Sequence, residues 1–139
     1  MIARNAQQGA RGREPDARTR VFVYGTLLAG ERNHRYLKTA RFVAEASTTP
    51  EFRLHDLGSF PGLVRGGEQV VSGEVYEVDE PTLAALDRLE GHPDFYQRTS
   101  IVLADGILAV TYLLTPDQVE GRRVITSGSW RTRHKDHTP

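Results

Sequence analysis

The residue best placed by type and spacing to do chemistry is Glu90, at the end of a predicted helix that begins at Pro81. Leu83, Leu86 and Leu89 form one apolar stripe on this helix, and Glu90 falls inside that stripe because residues four and seven apart share a helix face. A carboxylate on the buried side of a helix loses solvation, which raises its pKa toward the range useful for a general acid and base. The alternative is a frayed last turn in which Glu90 is solvated.

A sharp turn after a short strand is the second candidate. The β-branched and aromatic run from Arg20 to Tyr24 predicts a buried strand, and Gly25 lets the backbone leave that strand abruptly. The backbone N–H groups of the turn from Tyr24 to Leu27 are then available to a small anion or a carbonyl oxygen. The hydroxyl of Thr26 either donates a hydrogen bond to a substrate or bonds its own backbone.

The remaining pattern predicts an α+β domain built on a small closed or strongly curved β-barrel with flanking helices. A helix should follow the loop after Leu27, and the helix that ends at Glu90 is capped by Asp79 or Glu80 and stopped by Gly91. An Asp-Gly pair at Asp105 predicts a hairpin. The predicted strands cover residues 41–49, 52–57, 69–78, 96–103 and 106–114. We expect residues 58–63 to be an irregular turn, either a plain surface loop or a rim or lid over a substrate.

Length and composition limit the possible functions. A chain of 139 residues is long enough for one domain, which we place at residues 20–127, between a disordered extension at 1–19 and a polar tail at 128–139. The formal net charge of zero disfavours a nucleic-acid partner, and no apolar run is long enough to predict a membrane partner. Zero cysteines exclude disulfides and zinc thiolate sites, and the histidines lack metal-ligand spacing. We therefore expect a cytoplasmic protein without a metal.

Several short motifs occur in an order that resembles the gamma-glutamylcyclotransferase-like (AIG2-like) superfamily, and most closely its gamma-glutamylamine cyclotransferase branch. The resemblance covers roughly residues 20 to 115 and is weakest from Ala44 to Arg65, where a leaving-group pocket would be shaped. The motifs are Tyr24-Gly25-Thr26-Leu27, Gly30, Asn33-His34, Gly73-Glu74-Val75-Tyr76, Leu86-Asp87-Arg88-Leu89-Glu90 and Tyr96-Gln97-Arg98.

This resemblance implies an enzyme that closes an L-gamma-glutamyl group into 5-oxoproline and releases an amine, with no cofactor and a small gamma-glutamyl compound as its partner. Glu90 would be the catalytic general acid and base, and the turn Tyr24, Gly25, Thr26 and Leu27 would bind substrate. Asn33 and Tyr96 are also expected near the pocket. The alternatives are a helix cap for Asn33 and an ordinary strand aromatic for Tyr96.

Other interpretations stay open on the same residues. Asp87 lies at the edge of the apolar stripe and is expected to be solvated, whereas Arg98 either pairs with a carboxylate or faces solvent. Two other functions also stay open. The protein could remove a gamma-glutamyl protecting group from a biosynthetic intermediate, or it could be a small-ligand-binding module without catalysis. The sequence does not predict the leaving group or the oligomeric state.

Overall fold

Seven strands and one α-helix are the main elements of the chain in a computed structural model that describes residues 18–136. The strands are β1 (Thr19–Val23), β2 (Arg41–Ser47), β3 (Phe52–Asp56), β4 (Pro61–Arg65), β5 (Ser72–Val78), β6 (Gln97–Val102) and β7 (Leu108–Leu113), and helix α1 is Glu80–Glu90. Short 3-10 helices cover His34–Leu37, Pro116–Val119 and Trp130–Asp136. Residues 1–17, most of the predicted disordered extension, lie outside the described residues.

The strands form one mixed sheet in the order β2-β5-β1-β7-β4-β3, with β6 added to β7. Strand β7 is parallel to β1 and to β4, and its hairpin with β6 is antiparallel, as the Asp-Gly signal predicted. The α+β class is confirmed, but of the two predicted forms, a closed or a strongly curved barrel, the closed form is not confirmed. The pairing path ends at β2 and β3, and these two strands do not pair with each other within residues 18–136. No helix in this part of the chain is long and apolar enough to cross a membrane.

Helix α1 lies against the sheet through the stripe expected from its leucines. Leu86 is completely buried, and Leu83 and Leu89 are partly buried against the core. Asp79 caps the helix by accepting a hydrogen bond from the Thr82 N–H at 2.9 Å. At the other end Gly91 adopts the left-handed conformation, with φ of 70°, and so ends the helix directly after Glu90.

Two predicted elements differ in the structure. Residues 61–65, expected to lie in or beyond an irregular turn, form strand β4, and only residues 58–60 make the turn between β3 and β4. Proline is tolerated at Pro61 because it is the first residue of the strand. The predicted first helix is only the four-residue 3-10 helix His34–Leu37, since a single buried apolar residue, Leu37, anchors it to the core.

The C-terminal segment packs onto the domain rather than leaving it at residue 127. Trp130 is only 2% exposed, and the Arg133 guanidinium lies 3.7 Å from the centroid of its ring. Arg131 donates hydrogen bonds to Glu74 on β5 and to the Ala29 carbonyl. The sequence from Trp130 onward is polar, so the single tryptophan was the one signal of this docking. The ordered domain therefore includes residues that we had assigned to a polar tail.

Candidate active site

A cavity of about 250 Å³ opens where the turn after β1, the end of α1 and the start of β4 meet. All seven residues that the sequence singled out as catalytic or substrate-binding line this cavity: Tyr24, Gly25, Thr26, Leu27, Asn33, Glu90 and Tyr96. The other lining residues are Phe22, Val23, Arg32, Phe60, Pro61, Leu89, Phe95 and Tyr112. The fold thus brings together residues from four separate stretches of the chain.

Glu90 presents a carboxylate that lacks hydrogen-bond partners at the helix end. Burial raises the pKa of Glu90 to about 7. Among residues 18–136, no side chain or backbone amide donates a hydrogen bond to this carboxylate, and no cation forms a salt bridge with it. The frayed and solvated last turn, which was the alternative at this position, is not what the structure has. Near neutral pH both protonation states of Glu90 are populated, as a group that both takes and returns protons requires.

Two tyrosines beside Glu90, Tyr24 and Tyr96, have hydroxyl groups that form hydrogen bonds with the protein backbone. The Tyr24 hydroxyl donates to the Tyr112 carbonyl at 2.6 Å and accepts from the Leu63 N–H at 3.2 Å. The Tyr96 hydroxyl donates to the Pro61 carbonyl at 2.5 Å. Burial raises the pKa of both hydroxyls, and the nearby Glu90 charge raises them further. Both tyrosines therefore stay neutral and shape the cavity.

The position of Asp87, one turn before Glu90, corrects a prediction. Asp87 was expected to be solvated, but its carboxylate accepts the Tyr112 hydroxyl at 2.7 Å and the Arg98 guanidinium at 2.6 Å. These partners come from β7 and β6, so the helix pattern alone did not predict them. Arg98 accordingly pairs with a carboxylate, one of its two expected roles. The hydrogen bonds of the Asp87 carboxylate are therefore satisfied within the protein. Of these two carboxylates, only Glu90 lines the cavity.

The turn after β1 leaves backbone donors unused at the cavity. Within it the Leu28 N–H donates to the Gly25 carbonyl at 3.1 Å. No acceptor among the described residues meets the N–H groups of Gly25, Thr26 and Leu27. Glycine is required at Gly25 because a Cβ there would lie 2.6 Å from the Cγ of Pro61. Such a set of free amides suits a carboxylate or a developing oxyanion.

Thr26 and Asn33 are joined by a side-chain hydrogen bond. The Nδ2 of Asn33 donates to the Thr26 hydroxyl oxygen at 3.0 Å, and the Asn33 N–H donates to the Thr26 carbonyl at 2.9 Å. Asn33 precedes the first 3-10 helix, but its side chain makes no capping hydrogen bond. Its role is thus to hold the turn, and the Thr26 hydroxyl proton keeps no acceptor among the described residues. Thr26 is left to donate into the cavity.

Sequence reasoning did not single out Arg32 or Phe95, whereas Phe60 lies in the turn at residues 58–63, for which a rim over the substrate was one of the two expected roles. Phe60 packs edge-on against Phe95, with ring centroids 6.1 Å apart, and both line the opening. Arg32 donates to the Ser59 carbonyl at 2.7 Å and so joins the loop before the first 3-10 helix to the β3–β4 turn. The adjacent aromatics Phe95 and Tyr96 were a usable signal. Arg32, in an exposed loop without periodicity, offered none.

Comparison with known proteins shows the family of this chain. Residues 21–132 match the family model described as gamma-glutamyl cyclotransferase, AIG2-like. A Vibrio cholerae relative is 45% identical over 113 residues, which is 81% of this chain and 96% of that protein. YtfP of Escherichia coli, named as a gamma-glutamylcyclotransferase family protein, is 35% identical over 84% of this chain and 99% of its own length.

Structural similarity leads to the same family. The crystal structure of an AIG2-like protein from Mus musculus matches with a TM-score of 0.64 and 34% identity, over 69% of this chain and 76% of that one. The fold and the cavity therefore define an AIG2-like domain. The chain belongs to the gamma-glutamyl cyclotransferase family.

Proposed function

We propose that this protein is a gamma-glutamyl cyclotransferase that converts an L-gamma-glutamyl amine or amide conjugate into 5-oxoproline and a free amine. The observation that carries the proposal is the position of Glu90. Its carboxylate has no hydrogen-bond donor among the described residues, its pKa is raised to about 7, and it shares one cavity with the free amides of Gly25, Thr26 and Leu27. A group with this pKa acts as base and acid in turn at neutral pH.

The reaction begins with a proton transfer. Ionised Glu90 removes a proton from the substrate α-ammonium, and the resulting amine attacks the gamma-carbonyl carbon. Negative charge then develops on the carbonyl oxygen, where the amides of the turn from Gly25 to Leu27 can stabilise it, or those amides hold the glutamyl carboxylate in place. Confinement in the cavity holds the gamma-glutamyl group of the substrate in its ring-closing conformation, which supplies the entropic part of the rate acceleration.

The intermediate collapses when the bond between the gamma-carbon and the leaving nitrogen breaks. Over the whole reaction the α-nitrogen loses two protons, and the leaving nitrogen, released as an ammonium, gains two. Glu90 carries these protons one at a time between two neighbouring nitrogens. The buried tyrosines keep their own protons because their hydroxyls are bonded to the backbone and their pKa values are raised.

The direct test is release of 5-oxoproline from a small panel of conjugates. The panel contains gamma-glutamyl-ε-lysine, gamma-glutamyl-alanine, glutathione and a gamma-glutamyl alkylamine. We expect turnover of at least one conjugate by the parent protein, and turnover slower by about a hundredfold or more by Glu90→Gln. Glu80→Gln is the matched control because it removes an exposed carboxylate from the opposite end of the same helix.

The other outcomes separate the rival functions. A folded parent protein that turns over none of the panel but binds a member would support the non-catalytic binding module. Turnover confined to larger gamma-glutamyl conjugates would support removal of a protecting group in biosynthesis. An active Glu90→Gln protein would contradict the mechanism, whatever the substrate.

A further inference from the structure

Two formal charges lie at the cavity among its described lining residues, Glu90 and Arg32. They differ in their access to solvent. Glu90 is partly buried and lies among buried residues such as Tyr24 and Tyr96, whereas Arg32 is exposed. The cavity therefore has a buried end that contains the carboxylate and an open end that contains the cation. A substrate that fills it meets these two charges at different points along its length.

Two hydrogen bonds fix the position of Arg32, one at its backbone carbonyl and one at a guanidinium nitrogen. Its Nη1 donates to the Ser59 carbonyl at 2.7 Å, and its own carbonyl accepts from Arg35 at 2.7 Å. Both Arg32 and Phe60, the residue after Ser59, line the cavity. A guanidinium has five N–H donors, and no carboxylate among the described residues forms a salt bridge with Arg32. Most of its hydrogen-bonding capacity remains available for an anionic group.

We propose that Arg32 binds a carboxylate carried by the leaving group, so that the substrates are gamma-glutamyl conjugates of amino acids rather than of simple alkylamines. This inference rests on the proposed function. The α-ammonium and the α-carboxylate or carbonyl of the glutamyl half are served at the buried end by Glu90 and the turn amides. The leaving half then extends toward the open end, where Arg32 offers planar donors that suit a carboxylate.

A matched pair of substrates tests this assignment. Gamma-glutamyl-alanine and gamma-glutamyl-ethylamine differ only in the carboxylate of the leaving group. We expect the parent protein to favour the alanine conjugate in kcat/KM by about tenfold, the size of a charge-assisted contact at a partly exposed site. Arg32→Gln should bring the ratio of the two kcat/KM values close to one. Arg32→Lys should give an intermediate ratio, because lysine keeps the positive charge but lacks the paired N–H donors of the guanidinium.

Lys38→Gln is the control for a general loss of positive charge. Lys38 is exposed and near Arg32 in the chain but does not line the cavity, so its removal should keep the parent ratio. A ratio near one in the parent, or a ratio unchanged in Arg32→Gln, would overturn the assignment. An equal fall for both substrates in Arg32→Gln would also overturn it, because Arg32 would then act on the glutamyl half or merely hold the rim.

A binding measurement keeps this inference separate from the proposed function. If neither conjugate is turned over, calorimetric Kd values for the same two compounds decide the role of Arg32. Tighter binding of the alanine conjugate that depends on Arg32 would retain this site while the cyclotransferase activity fails. Equal Kd values, or binding of neither compound, would overturn the assignment of Arg32, while turnover of the full panel decides the cyclotransferase activity separately.

Discussion

Two glutamates, Glu90 and Glu74, show how differently one fold treats the same side chain. Glu74 on β5 is only 5% exposed, yet its carboxylate accepts hydrogen bonds from the Ala29 N–H, the Tyr76 hydroxyl and Arg131, each at 3.0 Å. Burial alone would raise the pKa of Glu74, but these hydrogen bonds outweigh it and lower the pKa. Burial raises the pKa of Glu90 to about 7 with no donor to oppose it.

The comparison shows that hydrogen-bond donors can outweigh the effect of burial on the pKa of a carboxylate, as they do at Glu74 but not at Glu90. Glu74 is held ionised and joins three parts of the chain: strand β5, the loop at Ala29 and the C-terminal 3-10 helix at Arg131. That loop directly follows the turn that carries the free amides. Glu74 therefore helps to position part of the cavity lining, whereas the Glu90 carboxylate accepts no hydrogen bond from the described residues.

Replacing Glu90 should have the largest effect. Glu90→Gln preserves the shape of the side chain but removes its ability to carry a proton, so turnover should fall by about a hundredfold or more. The fold should be unaffected, as judged by circular dichroism. Glu74→Gln, measured beside it, should reduce turnover much less. A larger loss in Glu74→Gln than in Glu90→Gln would reverse the roles assigned to the two carboxylates.

The stability of the parent protein should depend on pH through Glu90. Because its pKa is higher in the folded state than in the unfolded state, the folded protein holds this proton more tightly. The Glu90 contribution is constant below the unfolded pKa near 4.5, falls as pH rises toward about 7, and is flat above that. The free energy of unfolding of Glu90→Gln, minus that of the parent, should thus rise by about 2 to 3 kcal/mol across this range.

Denaturant unfolding of both proteins at several pH values measures this difference. A difference that stays constant with pH would mean that Glu90 titrates as an ordinary glutamate. Glu80→Gln again serves as the control, and the same subtraction for this exposed residue should show no comparable rise between pH 4.5 and 7.

Removing the carboxylate of Glu74 should weaken the fold. Glu74→Ala leaves the Ala29 N–H and the Tyr76 hydroxyl without their acceptor and breaks the ion pair with Arg131. We expect the free energy of unfolding to fall by about 2 kcal/mol at pH 7. Glu77→Ala is the matched control, because Glu77 lies on the same strand and pairs with Arg20 and Arg41 near the surface. Equal losses in the two variants would argue against a special role for Glu74.

The smallest effect is expected for one donor to Glu74. Tyr76→Phe removes a single hydroxyl, and Glu74 keeps its bonds to Ala29 and Arg131, so the loss should be about 1 kcal/mol. Burial, followed by its bond to Glu74, raises the pKa of Tyr76 to about 12, so the hydroxyl is a neutral donor at physiological pH. An absorbance titration that placed this tyrosine near 10 would show that the bond is absent.

The sequence predicted residues that line one cavity better than it predicted the sheet around them. Glu90 was predictable because the helix period places it in the leucine stripe, and the turn at Gly25 because a glycine ends a β-branched run. These signals are local. The partners of Asp87 lie 11 and 25 residues further along the chain, at Arg98 and Tyr112, so no local pattern showed that this carboxylate is satisfied.

Long-range pairing also explains the other differences. The Pro61-Gly62 pair led to the prediction of a turn where strand β4 begins. The strand forms because it pairs with β3 on one side and with β7 on the other. Glu74 was noted only as part of a motif, although both faces of its strand are apolar. A glutamate in a strand with two apolar faces needs hydrogen-bond donors in the protein interior. The position of Glu74 in such a strand was therefore a signal that it has a structural role. The docked C-terminal segment likewise depends on Arg131, far from Glu74 in sequence.

The most direct test is a carbon-13 NMR titration of the glutamate side-chain carboxyls, with Glu90→Gln and Glu74→Gln used for assignment. We expect Glu90 to titrate near 7 and Glu74 to titrate below its ordinary value of 4.5 in the same sample. A Glu90 carboxyl that titrates near 4.5 would contradict the claim that this cavity holds a poised general acid and base.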